Sequence, residues 1–232
     1  MARKERKESR TNPVSLITLV DPSSPVSEQY RTIRTNIQFA SSIDRKLQTL
    51  VVTSSGPSEG KSTTAANLAV VFAKSGQRVL LVDADMRKPT VFKTFQLTNE
   101  IGLSTVLSTG KNVDVAAQKT SVENLSVLTS GPKPPNPSEL LGSIRMDQVI
   151  KEARNLYDII IFDMPPVVAV TDAQIMSSKV DGTLLVIREN VTKKESITKA
   201  KELLQLVNAR VLGVVYNGAE QSKDQGYYYY SS

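Results

Sequence analysis

Residues 49–74 read TLVVTSSGPSEGKSTTAANLAVVFAK, which is an apolar run, a glycine-containing loop and then a helical pattern. The run Thr49–Ser54 is mostly β-branched and does not alternate cleanly with polar residues, so it predicts a strand buried on both faces. A helix is predicted over Lys61–Lys74, with Gly76 ending it. Backbone N–H groups at such a strand–loop–helix junction bind phosphate. The stretch therefore predicts a phosphate-binding loop at the carboxyl end of a strand.

The chemistry of this loop points to a nucleotide. In the pattern that it follows, Lys61 contacts the β- and γ-phosphates and the hydroxyl of Ser62 binds Mg²⁺. The full motif has glycine five residues before Gly60, and Ser55 stands there instead. A glycine-rich turn before an ordinary helix is the alternative, which the ordered succession of strand, loop and helix disfavours. The predicted nucleotide-binding residues are Gly56, Pro57, Ser58, Glu59, Gly60, Lys61, Ser62 and Thr63.

Two further predicted strands end in aspartate. The run Arg78–Asp83 is followed by Asp85, and Tyr157–Asp163 ends in its own carboxylate. Positions two apart on a strand lie on one face, and carboxyl ends of neighbouring parallel strands meet at one edge. We therefore expect these carboxylates beside the phosphates. Capping of a turn or helix by aspartate is an equally common role for each one taken alone.

Together these groups predict hydrolysis of ATP or transfer of its phosphate, with Mg²⁺ as the second cofactor. One of Asp83 and Asp85 would orient the metal or its waters while the other accepts a proton. Asn217, just after the last predicted strand, is a candidate contact to the base, against simple turn formation. The predicted catalytic residues are Lys61, Asp83, Asp85 and Asp163, and the predicted metal ligands are Ser62, Asp83 and Asp163.

Predicted strands and helices alternate along the rest of the chain. This order predicts an α/β protein with the P-loop NTPase fold, a mainly parallel sheet and helices on both faces. All the strands are expected to be buried on both faces. The other predicted strands are Leu125–Thr129, Gly182–Ile187 and Ala209–Tyr216, and the other core helices are Arg145–Asn155, Asp172–Ser178 and Lys193–Val207.

The chain has 232 residues and a net charge of +6, and we expect one folded domain over residues 27–218. Residues 1–26 are predicted to be a flexible, basic, extended leader, and residues 219–232 a flexible tail. Ser27 is the predicted N-cap of a helix running from Glu28 toward Ala40. The apolar runs are shorter than the roughly 18 residues of a membrane span, and no signal-peptide pattern is present, so a soluble, cytoplasmic protein is expected.

Cysteine and histidine are both absent. Their absence excludes thiol nucleophiles, the usual zinc sites and Ser-His triads. It also excludes the His-Arg-Asp motif of eukaryotic-type kinases. The remaining carboxylates, lysines, arginines and hydroxyls suit Mg²⁺ and phosphate chemistry.

The C-terminal residues Tyr227, Tyr228, Tyr229 and Tyr230 look like a substrate. They begin eleven residues after Tyr216, a reach of roughly 35–40 Å, which permits phosphorylation of the same or a neighbouring chain. Each phosphate would add a charge of about −1.5 to −2. A disordered, sticky tail is the alternative.

The three nucleotide motifs, SEQYRTIRTN at 27–36, PPNPSELL at 134–141 and the tyrosine tail together resemble the bacterial tyrosine kinases. The likeness covers about residues 27–230. It points to the stand-alone cytoplasmic kinases of capsule or exopolysaccharide clusters in Gram-positive bacteria. By this resemblance, Asp83 and Asp85 form the additional Walker A′ element and Asp163 the Walker B element. The tail tyrosines would be the phosphate acceptors.

The resemblance also implies partners. Glu28, Arg31 and Arg34 match the family's oligomerisation motif, although their spacing alone favours a solvated helix face with an intrahelical ion pair. A homo-oligomeric ring is implied, in which the tail of one subunit enters the site of its neighbour and phosphorylation loosens the ring. A transmembrane adaptor that recruits the kinase to the inner face of the membrane and a cognate tyrosine phosphatase are implied too. No nucleic acid is expected.

Two other functions fit the same motifs. One is a partitioning or site-selecting ATPase of the MinD and ParA kind, which carries a signature lysine five positions before the loop lysine; Gly56 stands there. The other is a non-catalytic scaffold that binds nucleotide in order to assemble an export complex. The intact acidic residues weigh against the scaffold.

Overall fold

The computed structural model describes residues 13–40 and 47–219. Within these residues, seven strands, numbered β1 to β7 along the chain, form one sheet. Their order across the sheet is β3-β4-β2-β5-β1-β6-β7. Every neighbouring pair is parallel except β3 and β4, which are antiparallel. The strands are β1 (Thr49–Ser54), β2 (Val79–Asp83), β3 (Gln118–Lys119), β4 (Leu125–Leu128), β5 (Ile159–Asp163), β6 (Gly182–Arg188) and β7 (Val211–Asn217).

Helices cover both faces of the sheet, as predicted. Alternate residues of the central strands pack on opposite faces of the sheet. Leu80 belongs to the hydrophobic core on the face covered by α5 to α10, and Leu81 belongs to the core on the face covered by α2 and α3. This double burial explains why the central strands read as continuous apolar runs. The helices are α1 (Ile17–Val20), α2 (Pro25–Phe39), α3 (Lys61–Lys74), α4 (Val91–Thr94), α5 (Leu103–Thr109), α6 (Val113–Ala116), α7 (Pro137–Gly142), α8 (Ile144–Leu156), α9 (Asp172–Ser177) and α10 (Lys194–Leu206).

The last strand differs from the prediction. We expected Ala209–Tyr216 to be buried on both faces like the others, but β7 lies at the edge of the sheet, where Val214 and Tyr216 are about half exposed. An apolar, β-branched run fits an edge strand as well as a central one, and only the sheet order distinguishes them. The two-residue strand β3 and the short helices α4, α5, α6 and α7 were not predicted, because they are too short to show a periodicity.

The predicted leader over residues 1–26 is too long. Within it, α1 is helical, and the buried hydroxyl of Thr18 donates to Oδ1 of Asn67 at 2.8 Å. Helix α2 begins at Pro25, and its N-cap is Ser24 instead of Ser27, since the Ser24 side chain accepts the N–H of Ser27. Proline at the first helical position needs no hydrogen bond for its nitrogen, so it can precede the predicted start.

Residues 1–12 and the predicted acceptors Tyr227–Tyr230 lie outside the described residues. Within residues 13–40 and 47–219, none of the helices combines the length and the apolar character needed to span a bilayer.

Candidate active site

The predicted phosphate-binding loop joins β1 to α3. Gly60 is the N-cap of α3 and has a φ of 99°. A Cβ atom there would lie 2.0 Å from Nδ2 of Asn217, so both its backbone conformation and its surroundings require glycine. Asn217, at the end of β7, donates from Nδ2 to the carbonyl oxygen of Glu59 at 3.0 Å. The last strand therefore packs directly against the loop.

The strand order brings the predicted carboxylates together. β5 lies between β1 and β2, and Asp83 and Asp163 are register partners at the ends of their strands. Asp85 lies two residues beyond the end of β2, in the loop that follows. All three aspartates are buried, with at most 4% of each residue exposed. They meet at the carboxyl edge of the sheet beside the phosphate-binding loop.

Lys61 is the cation of this cluster. Its Nζ lies 2.9 Å from Oδ2 of Asp85, 3.4 Å from Oδ1 of Asp163 and 3.1 Å from the hydroxyl of Ser62. Because the two carboxylates are buried and the Lys61 side chain is only 13% exposed, their mutual attraction is screened less than it would be at the surface. One ammonium group thus faces two carboxylates.

The cluster perturbs the ionisation of its members. Burial, with the nearby carboxylate of Asp163, raises the pKa of Asp83 to about 8. The pKa of Asp163 is also raised, chiefly by burial and against the attraction of Lys61. Burial alone would lower the pKa of Lys61, but Asp163 and Asp85 raise it above its ordinary value. Burial thus disfavours the ionised forms of Asp83 and Asp163, and the ammonium group of Lys61 opposes that effect.

The residues present fit Mg²⁺. Oδ1 of Asp83 and Oδ2 of Asp163 are buried and have no hydrogen-bond partner among the described residues. Carboxylate oxygens of this kind are suitable ligands for a hard cation. Within the described residues, no group of three or more acidic side chains forms a ready-made metal cage. Mg²⁺ does not require one, because it keeps waters and uses phosphate oxygens as ligands.

Two of the aspartates also cap backbone. Oδ2 of Asp83 accepts the N–H groups of Thr90 and Val91 at 3.1 and 3.0 Å, at the start of α4. Oδ1 of Asp85 accepts the N–H of Lys88 at 3.0 Å. The capping role and the site role are therefore held by different oxygens of the same side chains.

A cavity of about 510 Å³ opens above the loop. Among the predicted nucleotide-binding residues, Gly56 and Glu59 do not line it. Lys88 and Arg188 also line the cavity, and neither was predicted from the sequence. Arg188 could have been predicted as a site residue, because it directly follows the predicted strand Gly182–Ile187 and so lies at the carboxyl edge of the sheet, where the phosphate-binding loop is. The predicted residues that line the cavity are Pro57, Ser58, Gly60, Lys61, Ser62, Thr63, Asp85 and Asn217.

An ion pair between Arg87 and Asp172 holds the segment after Asp85 in place. The guanidinium of Arg87 donates to both carboxylate oxygens of Asp172, each at 2.9 Å, and Asp172 is fully buried. The hydroxyl of Ser138 donates to the same carboxylate at 2.7 Å. The contact joins the loop after β2 to the starts of α7 and α9. Nothing in the local sequence indicated this partner, because 85 positions separate the arginine from the aspartate.

The predicted oligomerisation residues lie along α2. Arg31 Nε donates to Oε2 of Glu28 at 2.6 Å, which is the intrahelical ion pair that their spacing favoured. Arg34 does not join it, because its Nη1 donates to the carbonyl of Val71 in α3 at 3.1 Å. The structure therefore leaves Glu28 exposed and Arg31 partly exposed, and it fastens Arg34 to the helix of the phosphate-binding loop.

Comparisons with known proteins show what the chain is similar to. Residues 49–211 match the AAA domain family model. The chain is 51% identical over 218 residues to the tyrosine-protein kinase YwqD of Bacillus subtilis, covering 94% of this chain and 92% of that protein. It is 37% identical over 196 residues to the tyrosine-protein kinase CpsD of Streptococcus agalactiae, covering 84% of each.

Solved structures agree in fold. The chimerical protein CapA2B2 superposes with a TM-score of 0.85 and 42% identity, covering 90% of this chain and 93% of that one. The cell division ATPase MinD of Pyrococcus furiosus superposes with a TM-score of 0.64 and 25% identity, covering 76% and 74%. The fold is therefore shared with ATPases of the MinD kind, while the sequence is more similar to the tyrosine kinases.

Proposed function

This chain belongs to the bacterial tyrosine kinases and is a protein-tyrosine kinase, and we propose that it transfers the γ-phosphate of ATP to its own tyrosines Tyr227–Tyr230. The observation that carries the proposal is the position of Lys61, held by Asp85 and Asp163 directly beside the phosphate-binding loop. A lysine between the phosphates and a carboxylate cluster suits phosphoryl transfer, which depends on positioning and charge neutralisation.

The residues take separate roles. The loop N–H groups hold the phosphates, and Lys61 exchanges its contacts with the carboxylates for contacts with the β- and γ-phosphates. Mg²⁺, held by Ser62, Asp83 and Asp163, would neutralise charge on the phosphates. Asn217 lies close enough to the cavity to contact the base.

Asp85 is the proton acceptor in this proposal. It lines the cavity, whereas Asp83 is fully buried and uses Oδ2 to cap α4. When the phosphates draw Lys61 away, Oδ2 of Asp85 is released, and it can accept the proton of the tyrosine hydroxyl. The phosphorus–oxygen bond to ADP breaks as the tyrosine oxygen bonds to the γ-phosphorus.

Transfer takes place between neighbouring subunits of a ring, with Glu28 and Arg31 at the interface and Arg34 connecting that interface to α3. The exposed side chain of Glu28 and the partly exposed side chain of Arg31 support this arrangement. A transmembrane adaptor recruits the kinase to the membrane, where phosphorylation regulates capsule or exopolysaccharide export and a tyrosine phosphatase reverses it. The resemblance to capsule-cluster kinases supports these partners.

Intact-mass spectrometry after incubation with Mg-ATP tests the proposal. The wild type should gain phosphates, and Lys61→Met should gain none, because the phosphates then lack their lysine contact. A variant with Tyr227–Tyr230 changed to phenylalanine should gain none either. Tyr216→Phe is the matched control, since this tyrosine is exposed but lies in β7, outside the tail. It should be phosphorylated like the wild type.

The same experiment separates the alternative functions. Accumulation of ADP with no phosphate on the protein, in the presence of the adaptor's cytoplasmic segment, would favour an ATPase of the MinD or ParA kind. Binding of ATP without any turnover would favour the scaffold. Phosphate on the variant that lacks the four tail tyrosines would move the acceptor elsewhere in the chain.

A further inference from the structure

A network of polar contacts, buried at its centre, holds the phosphate-binding loop. Its centre is the carboxylate of Glu59, which is 3% exposed. The hydroxyl of Ser55 lies 2.8 and 2.9 Å from its two oxygens, and the N–H of Gly56 donates to it at 2.9 Å. The hydroxyl of Thr192 donates to Oε1 at 2.7 Å. Hydrogen bonds from three different residues thus converge on one carboxylate.

The donors are all neutral, which makes the position of this carboxylate unusual. A buried charge is costly unless it is well hydrogen-bonded, and a negative charge beside a phosphate site also repels the ligand. Glu59 does not line the nucleotide cavity, so it cannot act on the phosphates by direct contact. Its contacts point to a role in the shape of the loop.

The network also connects the loop to β6 and β7. Oγ1 of Thr192 accepts the N–H of Arg188 at 2.8 Å, and Nη1 of Arg188 donates to the carbonyl of Ser58 at 3.1 Å. Ser58 has a φ of 63°, a conformation that a non-glycine residue keeps only where its surroundings hold it. Asn217 holds the carbonyl of Glu59 from the next strand. The loop is therefore attached to β6 and β7 as well as to β1 and α3.

We propose that Glu59 is a positioning residue that, with Ser55 and Thr192, holds the phosphate-binding loop in its binding shape before the nucleotide arrives. The inference rests on the proposed function only in taking the loop to bind nucleotide phosphates. It also accounts for the departure from the loop motif. Glycine at position 55 has no hydroxyl to donate to Glu59, so serine there belongs to the site.

A preformed loop lowers the cost of ordering the chain when the ligand binds. Loss of the network should therefore weaken nucleotide binding, while the transfer step at saturating ATP stays within about twofold, because Glu59 touches no reacting atom. Ser55→Gly is the decisive variant. It completes the sequence motif yet should weaken Mg-ADP binding by about three- to tenfold, the effect of losing one buried hydrogen bond.

Equilibrium titration with a fluorescent N-methylanthraniloyl ADP and Mg²⁺ measures this directly. Ser55→Ala and Thr192→Val should weaken binding like Ser55→Gly, and Glu59→Ala should weaken it by about tenfold or more. Glu59→Gln should restore most of the affinity, since its amide oxygen can accept from Gly56 and its nitrogen can donate to Thr192. Because the three side chains act as one unit, the Glu59→Ala/Thr192→Val double variant should bind no more weakly than Glu59→Ala.

Ser104→Ala is the matched control. Ser104 is also nearly buried, and its hydroxyl donates to the carbonyl of Pro132 at 2.7 Å, away from the nucleotide cavity. It should lose stability in thermal denaturation but keep its affinity for ADP. Ser55→Gly binding ADP as tightly as the wild type would overturn the proposal. Equal losses in kcat and kcat/KM with an unchanged KM would overturn it too.

These outcomes are independent of where the phosphate goes. If the wild type binds ADP and the Ser55 and Glu59 variants lose affinity, the positioning role stands even where no tyrosine is phosphorylated. If the tail is phosphorylated but the variants bind ADP like the wild type, the kinase proposal stands and the positioning role fails.

Discussion

At the residue scale, two arginine–aspartate pairs share a fork geometry and differ in burial. Arg87 donates through Nε and Nη2 to Asp172, and Arg78 does the same to Asp158. The side chain of Asp172 is fully buried, while that of Asp158 is 41% exposed. Removing the partner of a buried charge is costly, whereas an exposed pair contributes little. The two pairs therefore test how far burial decides the energy of the same contact.

We expect Arg87→Ala to lower the free energy of unfolding by about 2–3 kcal/mol, less than a fully buried pair would lose because Arg87 is partly exposed. The free energy of unfolding of Arg87→Lys should lie between those of the wild type and Arg87→Ala, since an ammonium group cannot bridge both oxygens of the carboxylate. Chemical denaturation with urea measures the difference. Arg78→Ala should leave the midpoint nearly unchanged, and equal shifts for the two alanine variants would contradict the burial argument.

At the element scale, one carboxylate joins β1, β6 and α8 at the amino ends of the parallel strands, opposite the active site. Asp181 precedes β6 and accepts the N–H groups of Gln48 and Thr49 at the start of β1. Arg154 of α8 donates to its other oxygen at 2.8 Å. Burial raises the pKa of Asp181, but the hydrogen bonds from Arg154, Gln48 and Thr49 lower it more, so it lies below the ordinary value.

This lowered pKa makes stability depend on pH. The folded protein holds the ionised form more tightly than the unfolded chain does, so the contribution is present above the ordinary aspartate pKa of about 3.9. It is lost as the pH falls through the lower pKa of the folded state. Asp181→Asn should cost about 1–3 kcal/mol at pH 7, and its gap to the wild type should close as the pH falls below about 4.

Urea denaturation of both proteins at a series of pH values measures that gap. Asp147→Asn is the matched control, because Asp147 pairs with Lys179 but its side chain is 53% exposed. Its gap to the wild type should be small throughout. A gap for Asp181→Asn that stays constant from neutral to acid pH would contradict the argument.

At the scale of the whole molecule, the proposed ring depends on the exposed face of α2. The Glu28–Arg31 pair is 53% and 36% exposed, and such a pair adds little to the stability of a single chain. Helix α10 carries a comparable pair, Lys199 and Glu202, with the same spacing and exposures of 57% and 58%. A difference between the two pairs in assembly would therefore come from an interface and not from helix stability.

The Glu28→Ala/Arg31→Ala variant is expected to run as a monomer in size-exclusion chromatography with light scattering, at concentrations where the wild type assembles. The Lys199→Ala/Glu202→Ala variant should keep the wild-type mass. Thermal denaturation of both would verify that the chains are folded. An assembled Glu28→Ala/Arg31→Ala variant would place the interface elsewhere.

The sequence by itself determined the elements that depend on local chemistry. Strand β1 and helix α3 have the bounds that the pattern predicted, because an apolar run, a glycine and a lysine mark them within a short stretch. The α/β class and the helices on both faces followed from the doubly apolar central strands. Asp83 and Asp163 were correctly predicted at strand ends, because each directly follows a continuous apolar run.

The tertiary structure alone decided what depends on distant contacts. The strand order made Asp83 and Asp163 neighbours and placed β7 at an edge of the sheet. Packing between distant segments assigned one oxygen of Asp83 to capping α4. It also brought Glu59 and Thr192, which are 133 positions apart, into hydrogen-bond contact. A local pattern specifies which groups a segment offers, but hydrogen-bond partners and burial are set by packing between segments far apart in the chain.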